Sequence, residues 1–124
     1  MTRKPNLVLV LLLAMSLALT ACGSGGDDPP QAAGDADKGK DLYAQNCAAC
    51  HGPNGEGIQD LGKRFPGSDF LKSSSDDGLL DFVKTGRPSG DPQHQGADMP
   101  PKGGNPDLSD DDLRNIIAFL RTLQ

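Results

Sequence analysis

The sequence predicts an all-α domain with three main helices, and three observations carry that prediction. Apolar residues recur at helical spacing in three stretches, each opened by a capping residue. No stretch alternates apolar and polar residues convincingly enough to read as a strand, and there are no internal repeats. The folding part is also short. Of 124 residues, the first 21 read as an export signal and the next dozen as a linker, which leaves about 90. A domain of that size is marginal on its own apolar surface. This one has four Phe, one Tyr and no Trp, with 16 Gly and 10 Pro, so it needs another source of core. Three cysteines are an odd count, which excludes a scaffold held by disulfides alone.

The elements follow in order. Met1-Thr2-Arg3-Lys4 is a basic start, and Leu7 to Leu19 is an apolar run of ~13 residues, the length of a signal peptide rather than a membrane span. It closes with Leu19-Thr20-Ala21-Cys22, which resembles the bacterial lipobox, in which the cysteine is lipidated and becomes the mature N-terminus. An ordinary cleaved signal followed by a chance cysteine is the alternative. Residues 22–34, rich in Gly, Ser, Asp and Pro, suit a flexible tether. Residues 35–124 form the domain. Asp35-Ala36-Asp37 opens a first helix running to about Gln45, with acidic residues where the helix dipole favours them. Gly39 and Tyr43 share one face of it, and a glycine inside a helix implies close approach of another helix.

Gly52 to Gly67 is irregular, and Ser68-Asp69-Phe70-Leu71 forms one short turn. Ser75 caps a second helix whose apolar face is Leu79, Leu80, Phe82 and Val83; Gly86 stops it in a left-handed conformation, and Pro88 prevents continuation. Pro88 to Pro106 is a long loop, and such loops in small domains are usually functional. Ser109 with Asp112 makes a capping box for the last helix. Its apolar side carries Leu113, Ile116, Ile117, Leu120 and Leu123, with Phe119 beside them and Arg114 and Arg121 off it.

Without Arg3 and Lys4, ten basic residues face 17 acidic ones. No Lys/Arg cluster remains, which argues against nucleic-acid binding. The acidic balance suits an exported protein that meets a cationic or neutral partner.

Cys47-Ala48-Ala49-Cys50-His51 carries the chemistry. Two thiols three apart, with an imidazole next to the second, match covalent attachment of one haem: each thiol adds across a vinyl group, and His51 can bind the iron. A disulfide-exchange reading lacks its βαβ context. A zinc reading would need all four of Cys47, Cys50, His51 and His94, and adjacent Cys50 and His51 do not match usual zinc spacings. With Cys22 set aside, the cysteine count becomes even.

On these residues the chain resembles the small monohaem class I cytochromes c, across nearly all of 35–124. Gly39 and Tyr43 fall where the family has a glycine and an aromatic on its first helix, and Ile116 and Phe119 match the pair on its last. Gly52, Gly55 and Gly57 match its loop after the haem motif. Leu61-Gly62 departs from the family's Gly-Pro, whose carbonyl holds the proximal imidazole N–H, so the acceptor for His51 is left open. The sixth ligand implied is Met99, the one methionine of the mature chain, stiffened by Pro100 and Pro101. His94 is the rival ligand, in a polar loop. Arg87 is either a haem-propionate partner or a solvated surface arginine.

The stretch from Lys84 to Pro106 resembles cytochrome domains that accompany bacterial respiratory complexes, such as the monohaem lipoprotein subunit of alternative complex III or the cytochrome domain of a haem-copper oxidase. The resemblance implies an electron carrier with no catalytic residue, facing the periplasm or cell exterior on a lipid anchor. Its partners would be a quinol-oxidising complex or a terminal oxidase. A peroxidase-like site with an open sixth position is the enzymatic alternative.

Overall fold

Among the described residues, five α-helices position the haem motif and the Met99 loop. A computed structural model describes residues 34–88, 90 and 96–124. Cys22, His94, the proposed signal and nearly all of the linker lie outside the described residues. The helices are α1 (Ala36–Asn46), α2 (Ala48–His51), α3 (Asp69–Ser73), α4 (Asp76–Thr85) and α5 (Asp110–Thr122). Among the described residues there is no strand, only two isolated antiparallel bridges, Ile58 with Gly62 and Arg87 with Met99. No helix among them is long and apolar enough to cross a membrane.

The caps are those the sequence names. Asp35 accepts from the Asp37 and Lys38 amides at 3.0 and 3.2 Å. Ser75 accepts from Gly78 N at 3.1 Å. Ser109 and Asp112 form the reciprocal capping box. The first helix runs one residue beyond Gln45, and the haem motif is not its last turn. Cys47 breaks the helical dihedrals (φ −121°, ψ −32°), and α2 is a separate turn behind it.

α1 and α5 cross closely because glycine permits it. A Cβ at Gly39 would lie 1.8 Å from the Asn115 carbonyl oxygen, far inside contact distance. Gly34 is under the same constraint from Arg114 O, at 2.2 Å. Asp35 N donates to Asn115 Oδ1 at 2.7 Å, closing the crossing at its open end. Tyr43, Leu113, Ile116, Ile117, Phe119 and Leu120 form the centre of the core, joined by Leu71, Leu79 and Leu80. Leu108, in the stretch before the last capping box, is buried with them. Phe82 and Val83 are only half-buried, because they face a cavity rather than a helix.

Arg114 and Arg121 lie off the apolar stripe and face α4. Arg114 pairs with Asp77 at 3.0 Å. Arg121 Nε and Nη2 donate to Asp76 Oδ1 at 2.9 and 2.7 Å, and its guanidinium also donates to Ser74 O at 2.6 Å and to Leu71 O. One arginine thus satisfies the last carbonyls of α3 while fixing the start of α4, which places Leu71 and Leu79 over the core.

Candidate functional site

Cys47, Cys50, His51 and Met99, the four haem-contacting residues expected from the sequence, line a single cavity of about 410 Å³. Its walls are mainly core side chains, among them Leu71, Leu79, Leu113, Ile116, Ile117 and Leu120. Leu61 and Phe70, 37% and 45% exposed, give it an apolar lip.

Cys47 and Cys50 sit one helical turn apart and are not joined to each other. Burial, then the neighbouring Cys50, pushes the Cys47 thiol up to about 11. It is therefore held as the thiol at neutral pH. Among the described residues no group of three His, Cys, Asp or Glu side chains could hold a metal ion by itself.

His51 Nδ1 lies 2.8 Å from the Lys63 carbonyl oxygen. A carbonyl only accepts, so Nδ1 carries the proton and Nε2 keeps its lone pair. Burial holds the imidazole below its usual value, with the Lys63 contact partly opposing, so it is neutral at pH 7. Lys63 is the acceptor that the Leu61-Gly62 departure left open. Ile58 and Gly62 exchange two backbone hydrogen bonds at 3.0 Å, turning the chain so that the next carbonyl faces His51. Gly62 is required by space: a Cβ there would stand 2.2 Å from Cys50 O. The ring also stacks on Phe65, centroids 4.3 Å apart at 23°. Phe65 meets Tyr43 edge-on at 6.2 Å, and Tyr43 donates its hydroxyl to Gly52 O at 2.6 Å. The aromatic on α1 thereby ties the loop after the haem motif to the core, and burial raises its pKa.

Met99 is delivered by pairing with the residue after α4. Arg87 N donates to Met99 O and Met99 N to Arg87 O, both at 2.8 Å. Gly86 has positive φ as expected, but its ψ of −172° is extended rather than left-handed helical. That combination is open essentially only to glycine. A Cβ there would also strike Met99 O at 2.4 Å. Arg87 is half-buried on the cavity wall, its guanidinium 5.1 Å from the Phe82 ring centroid and 5.9 Å from that of Phe70. It is thus not a solvated surface arginine.

Among the described residues, the lining carries Lys63, Arg64, Arg87 and Lys102 but only one carboxylate, Asp98. An acidic protein of net charge −5 has gathered cations at this one opening. Apolar walls, a cationic margin, two thiols and two soft or borderline iron donors together fit a macrocycle with apolar faces and two carboxylate arms.

A family profile described as cytochrome c matches residues 36–124. The chain belongs to the cytochrome c family. It is a monohaem class I cytochrome c, and the family implies covalently attached haem c as its cofactor and electron transfer as its activity. It is similar to cytochrome c-555 of Prosthecochloris aestuarii, 30% identical over 84 residues that cover 66% of this chain and 81% of that protein. It is also similar to the cbb3-type cytochrome c oxidase subunit FixP of Azorhizobium caulinodans, 32% identical over 99 residues that cover 79% of this chain. Those residues span only 29% of FixP. Cytochrome c-551 of Bacillus subtilis is 32% identical over 69 residues, covering 47% of this chain and 62% of that one. No solved structure matches the sequence.

Sequence reasoning about the site missed Lys63, Phe65 and the Arg87–Met99 pairing. Lys63 acts through its carbonyl, which no side-chain pattern reveals. Phe65 offered a signal, as one of only four phenylalanines and the one in the loop after the haem motif.

Proposed function

We propose that this cytochrome c passes single electrons within a membrane-associated bacterial respiratory chain, holding one haem through Cys47 and Cys50, with His51 and Met99 as axial ligands. The observation that carries the reading is that these four residues line one apolar cavity with a cationic margin. The bound haem supplies one-electron cycling of iron, at a potential raised by His–Met ligation. The chain's own residues prepare the site. Lys63 O orients His51 and leaves Nε2 as the donor atom. The Arg87 backbone fixes Met99, so that the same ligand can be kept in both oxidation states. The aliphatic walls exclude water, and Arg87 on the cavity wall is the residue that would pair with a propionate. No residue is assigned as a general base or nucleophile.

The respiratory setting rests on similarity to an oxidase subunit, FixP, and on the export-like start of the chain. In this reading residues 1–21 are the lipoprotein signal, 22–34 the lipidated Cys22 and its tether, and 35–124 the cytochrome domain. Lipid at Cys22 would confine the carrier to a membrane surface outside the cytoplasm and raise its effective concentration near a quinol-oxidising complex or terminal oxidase.

Optical spectroscopy of the purified protein tests the assignment. A low-spin c-type spectrum with the near-red Met–Fe(III) band is expected, and Met99→Ala should abolish that band and lower the potential. A high-spin spectrum that responds to peroxide or carbon monoxide would instead establish the open-site, peroxidase-like alternative. A low-spin spectrum without the near-red band, turned high-spin by His94→Ala but not by Met99→Ala, would transfer the sixth ligand to His94.

A further inference from the structure

We propose that Asn46 and Asn105 are positioning residues that clamp the Met99 loop to the haem-attachment segment and so keep the iron's sixth position closed; this rests on Met99 being the axial ligand. A thioether is a weak donor, and the two prolines behind it restrict φ without fixing where the loop lies. Upstream, Met99 is registered by its backbone pairing with Arg87. Downstream it needs a second anchor, and the chain reverses at once to reach one. Lys102 and Gly103 both have left-handed dihedrals, φ 54° and 65°. Gly103 N donates to Pro100 O at 3.0 Å and Asn105 N to Lys102 O at 3.2 Å. For a lysine that conformation is uncommon. It brings Lys102 Nζ to Leu108 O at 2.7 Å and Pro106 O at 3.1 Å.

The reversal ends on one residue. Asn105 Nδ2 donates to Asn46 Oδ1 at 2.8 Å. Asn46 Nδ2 donates in turn to Leu42 O at 2.8 Å, and Asn105 Oδ1 accepts from Asp107 N at 3.1 Å. Each amide is therefore oriented by a backbone group, and the bond between them has one allowed direction. Asn46 is the residue immediately before Cys47, and it lines the haem cavity together with Lys102 and Gly103. Its carbonyl oxygen lies 3.0 Å from where a Gly103 Cβ would stand, so backbone approach and side-chain bond coincide. The ligand loop is thus measured against the segment that carries the thioethers, not against a remote part of the fold.

Asn105→Asp is the sharpest probe. It keeps the oxygen that accepts from Asp107 N but replaces the donor with an oxygen facing Asn46 Oδ1. Ferric holoprotein would be titrated with imidazole, following loss of the near-red band, with thermal melting on the same samples. Loss of one oriented hydrogen bond should raise apparent imidazole affinity about tenfold. Asn46→Ala should do the same, and the double variant should add little beyond either single change. Asp35→Ala, which weakens the far end of α1, serves as the control: it should lower the melting temperature without changing imidazole affinity. The clamp is refuted if both asparagine variants melt earlier but bind imidazole as the wild type does, or if Asp35→Ala raises affinity equally. Met99→Ala separates the two layers of the argument. If it leaves the near-red band intact, the ligand assignment has failed; if it removes the band while the asparagine variants change nothing, only the clamp has failed.

Discussion

Gly62 illustrates how much one missing Cβ can decide. Its φ is unremarkable, so its role is space rather than conformational freedom: Cys50 O would lie 2.2 Å from an added methyl. Gly67, a few residues on, is the reverse case, with φ +75° and nothing within 4 Å of a Cβ. Gly67→Ala should therefore cost only the left-handed strain, about 1–2 kcal/mol. Gly62→Ala must push the turn off Cys50 and carry the Lys63 carbonyl away from His51 Nδ1. It should cost about 1–3 kcal/mol in stability. It should also shift the reduction potential, because the proximal imidazole loses the acceptor that tunes its donor strength. Denaturant melts with redox titrations check both, and an unshifted potential in Gly62→Ala would mean that the Lys63 contact does not tune the ligand.

At the scale of elements, the termini of α5 and α4 carry most of the surface electrostatics. Lys84 donates to Asp110 at 2.8 Å and holds that carboxyl below its ordinary 3.8. Hydrogen bonds from the Ser109 side chain and backbone do the same for Asp112. A carboxyl whose folded pKa is depressed stabilises above its unfolded value, and that contribution is lost as pH falls through the folded one. Both groups are exposed, so the effect is modest and screened by salt. Ser109→Ala should lower the melting temperature by a few degrees at neutral pH, and its deficit against the wild type should narrow below about pH 4. A deficit independent of pH would show that Asp112 contributes nothing through its charge. Asp35, Ser75 and the Ser109–Asp112 pair were legible because caps are local: side chain and amide lie within three residues of each other. The break at Cys47 was not, because it depends on α2 turning to face the cavity.

For the whole molecule, the cavity outweighs any single contact. Leu71, Leu79, Leu113, Ile116 and Ile117 all line it, so without haem much of the core has no apolar partner on one side. The chain produced without haem attachment should therefore lose its native packing. Far-UV circular dichroism should show reduced helicity and no cooperative thermal transition, and a cooperative melt near that of the holoprotein would contradict this. About 90 residues with few aromatics make sense as a shell rather than as a self-sufficient core.

By itself the sequence determined what is local or chemical. Helical period, caps and the spacing Cys47-x-x-Cys50-His51 act within a few residues, so they specify three helices and an attachment site without reference to the rest of the chain. It also implied that another helix crosses α1 closely, because a mid-helix Gly39 has few other reasons to exist; that this helix is α5 was decided by the fold. The tertiary structure decided the contacts made by backbone atoms far apart in sequence. Lys63 O on His51, Arg87 paired with Met99, Asn105 on Asn46 and Gly62 beneath Cys50 O are of this kind. Such contacts involve carbonyls and amides that every residue possesses, so residue identity marks them weakly, and only the fold selects which of them meet.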